Sequence, residues 1–258
     1  MKRLIAAIAI SLMAFLPMGA SAQISEAEVA DIIRAAEEGD AYAQYELGKM
    51  SYNGQLVPQS YTEAHQWWLR SVEQGHADAH TSLGVLFDRG QGVPEDHAEA
   101  YRWFRLAAEQ GSVSGQYNLG IMYSEGRGVL QDHSEAYRWW LRSAEQGTLL
   151  AWHNIGFMYS KGNGVPQDYV EAYRWFRPAA EQGDAASQGQ LGLIYAQGQG
   201  VPQDYVTAYM WFNIAAANGD EGAATNRDTA TSLMTTADIS DAQRRSRACM
   251  QSNYTDCD

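Results

Sequence analysis

The sequence predicts an all-α solenoid assembled from two-helix units, and three observations carry that expectation. Glycine keeps a 36-residue clock: Gly39, Gly75, Gly111, Gly147, Gly183 and Gly219 form one series, and Gly48, Gly84, Gly120, Gly156 and Gly192 a second. Tryptophan runs on the same step at Trp67, Trp103, Trp139, Trp175 and Trp211. Helix-start chemistry recurs twice in each period. A fixed period in this range marks stacked repeats, each burying its apolar face only against its neighbours.

Each unit justifies two helices. The first follows the 36-step Gly, with Asp40, His76, Ser112, Thr148, Asp184 or Asp220 at the N-cap position. All but His76 are residues whose side-chain oxygen accepts from an orphan N–H of the first turn. A small residue (Ala43, Ala79, Gly115, Ala151, Ser187) then stands four before Leu47, Leu83, Leu119, Ile155 or Leu191, on one helix face. The Gly after each of these costs about 1 kcal/mol against Ala inside a helix, so its recurrence implies close approach by a neighbour. A Gly-x-Gly-Val-Pro-x-Asp connection follows, as in Gly90 to Asp96. The second helix opens with capping-box pairs Ser60/Glu63, Asp96/Glu99, Asp132/Glu135 and Asp168/Glu171. It then carries a Trp-Trp or Trp-Phe pair, whose first member is expected to fill the gap between the two helices. Unit 1 helices are expected at about 41–52 and 61–74.

The ends depart from the frame. Residues 1–22 read as a secretory signal peptide: Lys2 and Arg3, an apolar run from Leu4 to Leu16, then Ala20-Ser21-Ala22 before cleavage near Ala22. This predicts a periplasmic or secreted protein without stable membrane insertion. Residues 23–39 read as an N-terminal capping helix, 40–219 as five units, and 220–258 as C-terminal capping helices with a Cys loop. The last helix is expected to start at Asp238 or Ser240. Pro178 is expected to kink the second helix of unit 4. Cys249 and Cys257 are the only cysteines, and export predicts a disulfide between them.

The formal net charge is −13, and loss of Lys2 and Arg3 takes it to −15. A surface so acidic repels nucleic acid and anionic lipid. No cofactor or metal is expected. His76 and His80 have the spacing of two ligands on one helix face, but no third ligand is evident. No nucleotide loop or paired-carboxylate motif stands apart from the repeat.

The motif Ala-x3-Leu-Gly-x2-Tyr-x2-Gly-x-Gly-Val-Pro-x-Asp-x3-Ala-x2-Trp-Phe-x3-Ala-x-x-Gly, well shown by Gly115–Gly147 and Ser187–Gly219, resembles the Sel1-like repeat, a longer relative of the TPR. The resemblance spans residues 40–219; departures are Ser51 for Tyr, Leu56 for the second loop Gly and Leu130 for Pro. It implies a right-handed α/α superhelix whose first helices line a concave binding face. It also implies an envelope scaffold or regulator with a protein partner, in the setting of cell-envelope or polysaccharide machinery. The alternative it implies is a weak β-lactamase or peptidoglycan-fragment hydrolase, as in cysteine-rich Sel1 proteins, whose Cys pair in each repeat is lacking here. On that face the candidate contact residues are Tyr45, Tyr117, Trp152 and His153. Trp152 is singled out as a Trp outside the repeat frame.

Overall fold

The computed structural model describes residues 25–255 and residue 257, and every regular element among them is an α-helix. The expectations for residues 1–22 lie outside the described residues. A capping helix, α1 (Glu26–Glu38), precedes five pairs: α2 (Ala41–Asn53) and α3 (Tyr61–Val72), α4 (Ala77–Arg89) and α5 (His97–Glu109), α6 (Val113–Glu125) and α7 (His133–Glu145), α8 (Leu149–Lys161) and α9 (Tyr169–Glu181), α10 (Ala185–Gln197) and α11 (Tyr205–Ala217). A last pair, α12 (Glu221–Thr231) and α13 (Thr236–Gln251), closes the array. Each helix from α1 to α11 packs on the next, α13 packs on α11, and α4 also meets α6 and α10 meets α12, so the core is a chain of small clusters along the array.

Local signals set the helix ends. Asp40, Ser112, Asp184 and Asp220 cap the first helices through their side chains. His76 and Thr148 occupy the same site without a side-chain cap bond. The first helices end on Gly54, Gly90, Gly126, Gly162 and Gly198, all in the left-handed region that a side chain would strain. Leu56 adopts φ 64 where the other units have a second loop glycine, and its side chain is exposed.

The second helices are capped differently from the expected box. Ser60, Asp96, Asp132, Asp168 and Asp204 do accept from the first-turn N–H groups. Their own N–H groups, however, donate to the carbonyls of Ser51, Phe87, Tyr123, Tyr159 and Tyr195 in the preceding helix. The backbone thus takes the bond that a glutamate would supply. Glu99, Glu135 and Glu171 pair instead with Arg102, Arg138 and Arg174 one turn on. This also explains why Asp204 caps as well with Thr207 in the glutamate position.

The tryptophan expectation needs correction. The ring over the helix glycine belongs to the second member of each pair. A Cβ on Gly48 would lie 2.3 Å from Trp68 Nε1, and one on Gly84, Gly156 or Gly192 would strike Phe104, Phe176 or Phe212. Trp67, Trp103, Trp139 and Trp175 are half-buried and reach back one junction: Trp103 packs on the cluster of α3 and α4, Trp139 on that of α5 and α6. Consecutive residues point about 100° apart on a helix, so one faces its own unit's first helix and the other the unit before.

A second ladder crosses the junctions. Tyr101–Tyr123, Tyr137–Tyr159 and Tyr173–Tyr195 are edge-to-face pairs with hydroxyls in hydrogen-bond contact, and His65–Phe87 is the equivalent first rung. Burial and the Tyr101 hydroxyl raise the Tyr123 phenol to about 12. The Tyr137 hydroxyl and burial raise Tyr159 to about 12.

Three further expectations meet the structure. α9 runs through Pro178 with the same 13 residues as α5 and α7. Pro178 takes the outward position held by Leu106 and Arg142 in other units, where water can serve the freed carbonyl. The final helix starts earlier than expected: Thr235 is its N-cap and Asp238 completes a capping box from inside the first turn. Cys249 and Cys257 form the disulfide, buried beside Phe176, Ile194 and Trp211. Asn253 and Tyr254 both take positive φ to turn the chain back.

Candidate interaction surface

The four expected contact residues divide into two kinds. Trp152 and Tyr117 share one cluster, around Trp140, Ile155 and Met158. Trp152 is half-buried, and its Nε1 donates to the carbonyl of Ala144 at 3.1 Å. Gln44 and Gln188, at the same frame position, donate to Ala36 and Ala180 in the same way. Trp152 therefore fills a frame position, and its polar edge is spent inside the protein. Tyr117 is half-buried, with its phenol raised mainly by burial.

Tyr45 and His153 serve the junctions. Each lies against the N-cap residue of the next unit. Tyr45 stacks on His76 with centroids 4.5 Å apart. His153 Nδ1 lies 3.2 Å from Asp184 Oδ2 and 2.9 Å from Ser187 Oγ. At the same position Thr81 bonds Ser112, and a Cβ on Gly189 would meet Asp220 at 2.5 Å. Burial pushes the Asp184 carboxyl up, but bonds from His153 and Ser187 outweigh it and hold the group below its ordinary value. Ser187, His153 and Asp184 do not make a nucleophilic triad. A triad needs base and orienting carboxylate on opposite ring nitrogens, whereas both partners here meet Nδ1 and Ser187 is fully buried. His80 Nδ1 meets the His76 carbonyl at 3.0 Å, so that ring faces its own helix.

The surface itself is marked by missing charge. Residues 113–124, 149–160 and 185–197, nearly the whole of α6, α8 and α10, contain no Asp, Glu, Lys or Arg. The adjacent α7 and α9 carry four such residues each. In a chain of net charge −13 this leaves a neutral strip along the first helices of units 3 to 5. On it α8 exposes Leu150 at 50% and Phe157 at 40%, with Lys161 Nζ 5.6 Å from the Phe157 ring centre. A groove of about 200 Å³ opens between α6 and α8 over α7. Trp140, Phe157 and Met158 give it apolar walls, and Ser124, His133, Asn154 and Asn163 line it with polar groups. The four candidate contact residues did not include Leu150, Asn154 or Phe157. The signal that finds them is the uncharged run in alternate helices.

Stacked helix pairs on this period define a class, the α-helical repeat proteins, which recognise partners along an extended face. The Sel1 repeat profile matches residues 41–76, 77–112, 113–148, 151–184 and 185–220, and the chain belongs to the Sel1 repeat family. Its structure is similar to that of c5321, a protective antigen present in uropathogenic Escherichia coli strains with an SLR fold. The identity is 36% and the TM-score 0.77, over 88% of this chain and 49% of that one. The chain thus spans about half the length of c5321. It is also similar to a Sel1 repeat protein from Oxalobacter formigenes, with 31% identity and a TM-score of 0.69 over 77% of this chain and 87% of that one. None of the curated proteins matches the chain. Sel1 repeats serve in general as protein-interaction scaffolds. No described helix is long and apolar enough to cross a membrane.

Proposed function

We propose that this chain is an interaction scaffold of the cell envelope, and that its protein partner docks on the first helices of units 3 to 5. The observation that carries the reading is the uncharged strip of α6, α8 and α10 with Leu150 and Phe157 exposed on it. Interface cores are depleted in charge, and an acidic protein kept soluble by its other faces has no electrostatic reason to leave one face neutral. Tyr117 and Trp152 support this face from beneath, while Tyr45 and His153 fix the angle between units. The direct contact role passes to Leu150 and Phe157. A buried Cys249–Cys257 bond supports placement in an oxidising compartment.

The test is a partner isolated on the purified chain, identified by mass spectrometry and reconstituted in pure form. Leu150→Arg should weaken the complex by roughly tenfold or more, equivalent to about 1.4 kcal/mol. Leu106→Arg, on the exposed side of α5, should leave it unchanged. Equal effects of the two substitutions would remove the proposed face. Turnover of a chromogenic cephalosporin, abolished by a point substitution, would replace the scaffold reading with a hydrolase.

A further inference from the structure

The groove between α6 and α8 is too small for an ordinary small-molecule site. Its volume of about 200 Å³ falls below the roughly 300–1,000 Å³ such sites occupy. Its walls are apolar and already committed. Trp140 Nε1 donates to the Tyr117 carbonyl at 3.1 Å, so the indole offers the groove carbon surface only. Met158 is buried and Phe157 stands open to solvent. The rim can both donate and accept: Asn154 and Asn163 carry amides, and His133 an imidazole. No carboxylate lines it, so a cationic side chain would lose its water without gaining a counter-ion. Lys161, whose Nζ lies 5.6 Å from the Phe157 ring centre, is not among the lining residues, so an anionic side chain finds no cation in the groove wall.

Resting on the proposed docking face, we propose that this groove receives one uncharged apolar side chain, of the Leu, Met or Phe kind, from an uncharged segment of the partner. The rim amides bond the backbone on either side of that anchor. Two features follow from the charge pattern. Recognition is only weakly sensitive to ionic strength, because no Asp, Glu, Lys or Arg lines the groove. It also selects against Lys and Arg at the anchor position, although the protein as a whole is strongly acidic.

The experiment uses short random peptides displayed on phage and selected on the full chain. It needs no knowledge of the natural partner. The enriched peptides should share one Leu, Met or Phe flanked by uncharged residues. Their affinity, read by fluorescence anisotropy, should change by less than about threefold between about 50 mM and about 500 mM salt. Phe157→Glu should lower it by roughly tenfold or more. Phe157→Asn is the milder variant should the glutamate disturb the fold, and circular dichroism checks both. Leu106→Glu should have no effect. Enrichment in Lys and Arg, a steep fall of affinity with salt, or no enrichment at all would overturn the groove assignment. So would binding that survives both Phe157 substitutions. Any of these with Leu150→Arg still releasing the reconstituted partner would leave the docking face standing and remove only the groove.

Discussion

Replacing Gly120 by alanine tests the packing principle of the whole array. On propensity alone the change should help, by about 1 kcal/mol. The structure argues the reverse. A Cβ on Gly120 would lie 2.4 Å from Trp140 Nε1 and 2.5 Å from its Cδ1, far inside the roughly 3.5–4.0 Å of a carbon contact. The indole sits between α6 and α7 with 6% exposure and is held by its bond to the Tyr117 carbonyl. Overpacking of this kind costs about 1–3 kcal/mol. A displaced ring also loses its bond to the Tyr117 carbonyl, and a buried donor left unpaired costs about 1–3 kcal/mol more. After the propensity gain of about 1 kcal/mol, a net loss of about 1–5 kcal/mol is expected. Gly84→Ala provides the internal comparison. It meets Phe104 at 2.6 Å, but no indole bond is at stake, so its loss should be smaller by about 1–3 kcal/mol. Urea unfolding followed by far-UV circular dichroism measures both, and Trp fluorescence shows whether the transition stays single, as short repeat arrays allow. Gly120→Ala as stable as the parent, or more so, would refute the claim that helix glycines are kept for the aromatic ring above them.

Trp152→Ala should cost about 2–4 kcal/mol, whereas Trp152→Gln should recover part of that by restoring the bond made by Gln44 and Gln188; equal losses in thermal unfolding would count against the frame assignment. Exported protein unfolded without reductant should show no free thiol, and Cys257→Ser should lower stability by about 2 kcal/mol; titration of both thiols would refute the staple. In an ultraviolet titration Tyr123 and Tyr159 should ionise near 12, late for tyrosine. Because the folded state holds these protons more tightly, their contribution to stability is complete below about pH 10 and is lost as the pH rises towards 12. Their ionisation together with the exposed tyrosines would show that the ring ladder does not form.

Much of this architecture is written in local chemistry. The N-cap at Asp40, the left-handed stop at Gly54 and the second start at Ser60 depend on residues within a turn of one another, so a single sequence displays them. Repetition at a fixed step then tells which signals belong to the fold. The expected helices at about 41–52 and 61–74 accordingly match Ala41–Asn53 and Tyr61–Val72. The Cys249–Cys257 pairing was legible for a similar reason, since no other cysteine competes. What the sequence alone left undecided was how neighbouring units use equivalent positions. Trp67 and Trp68 are adjacent and chemically alike, and only the rotation of the helix against its neighbours decides which one covers Gly48. Trp152 looked like a spare aromatic because Gln and Trp share no pattern in sequence, yet their side-chain N–H groups reach the same carbonyl in space. The glutamates of the second helices look like capping-box partners until the preceding helix brings a backbone carbonyl to the N-cap first. In each case the deciding contact joins residues from different helices. Its geometry is set by packing angles that no local pattern encodes, and the groove beneath Phe157 is a product of the same angles.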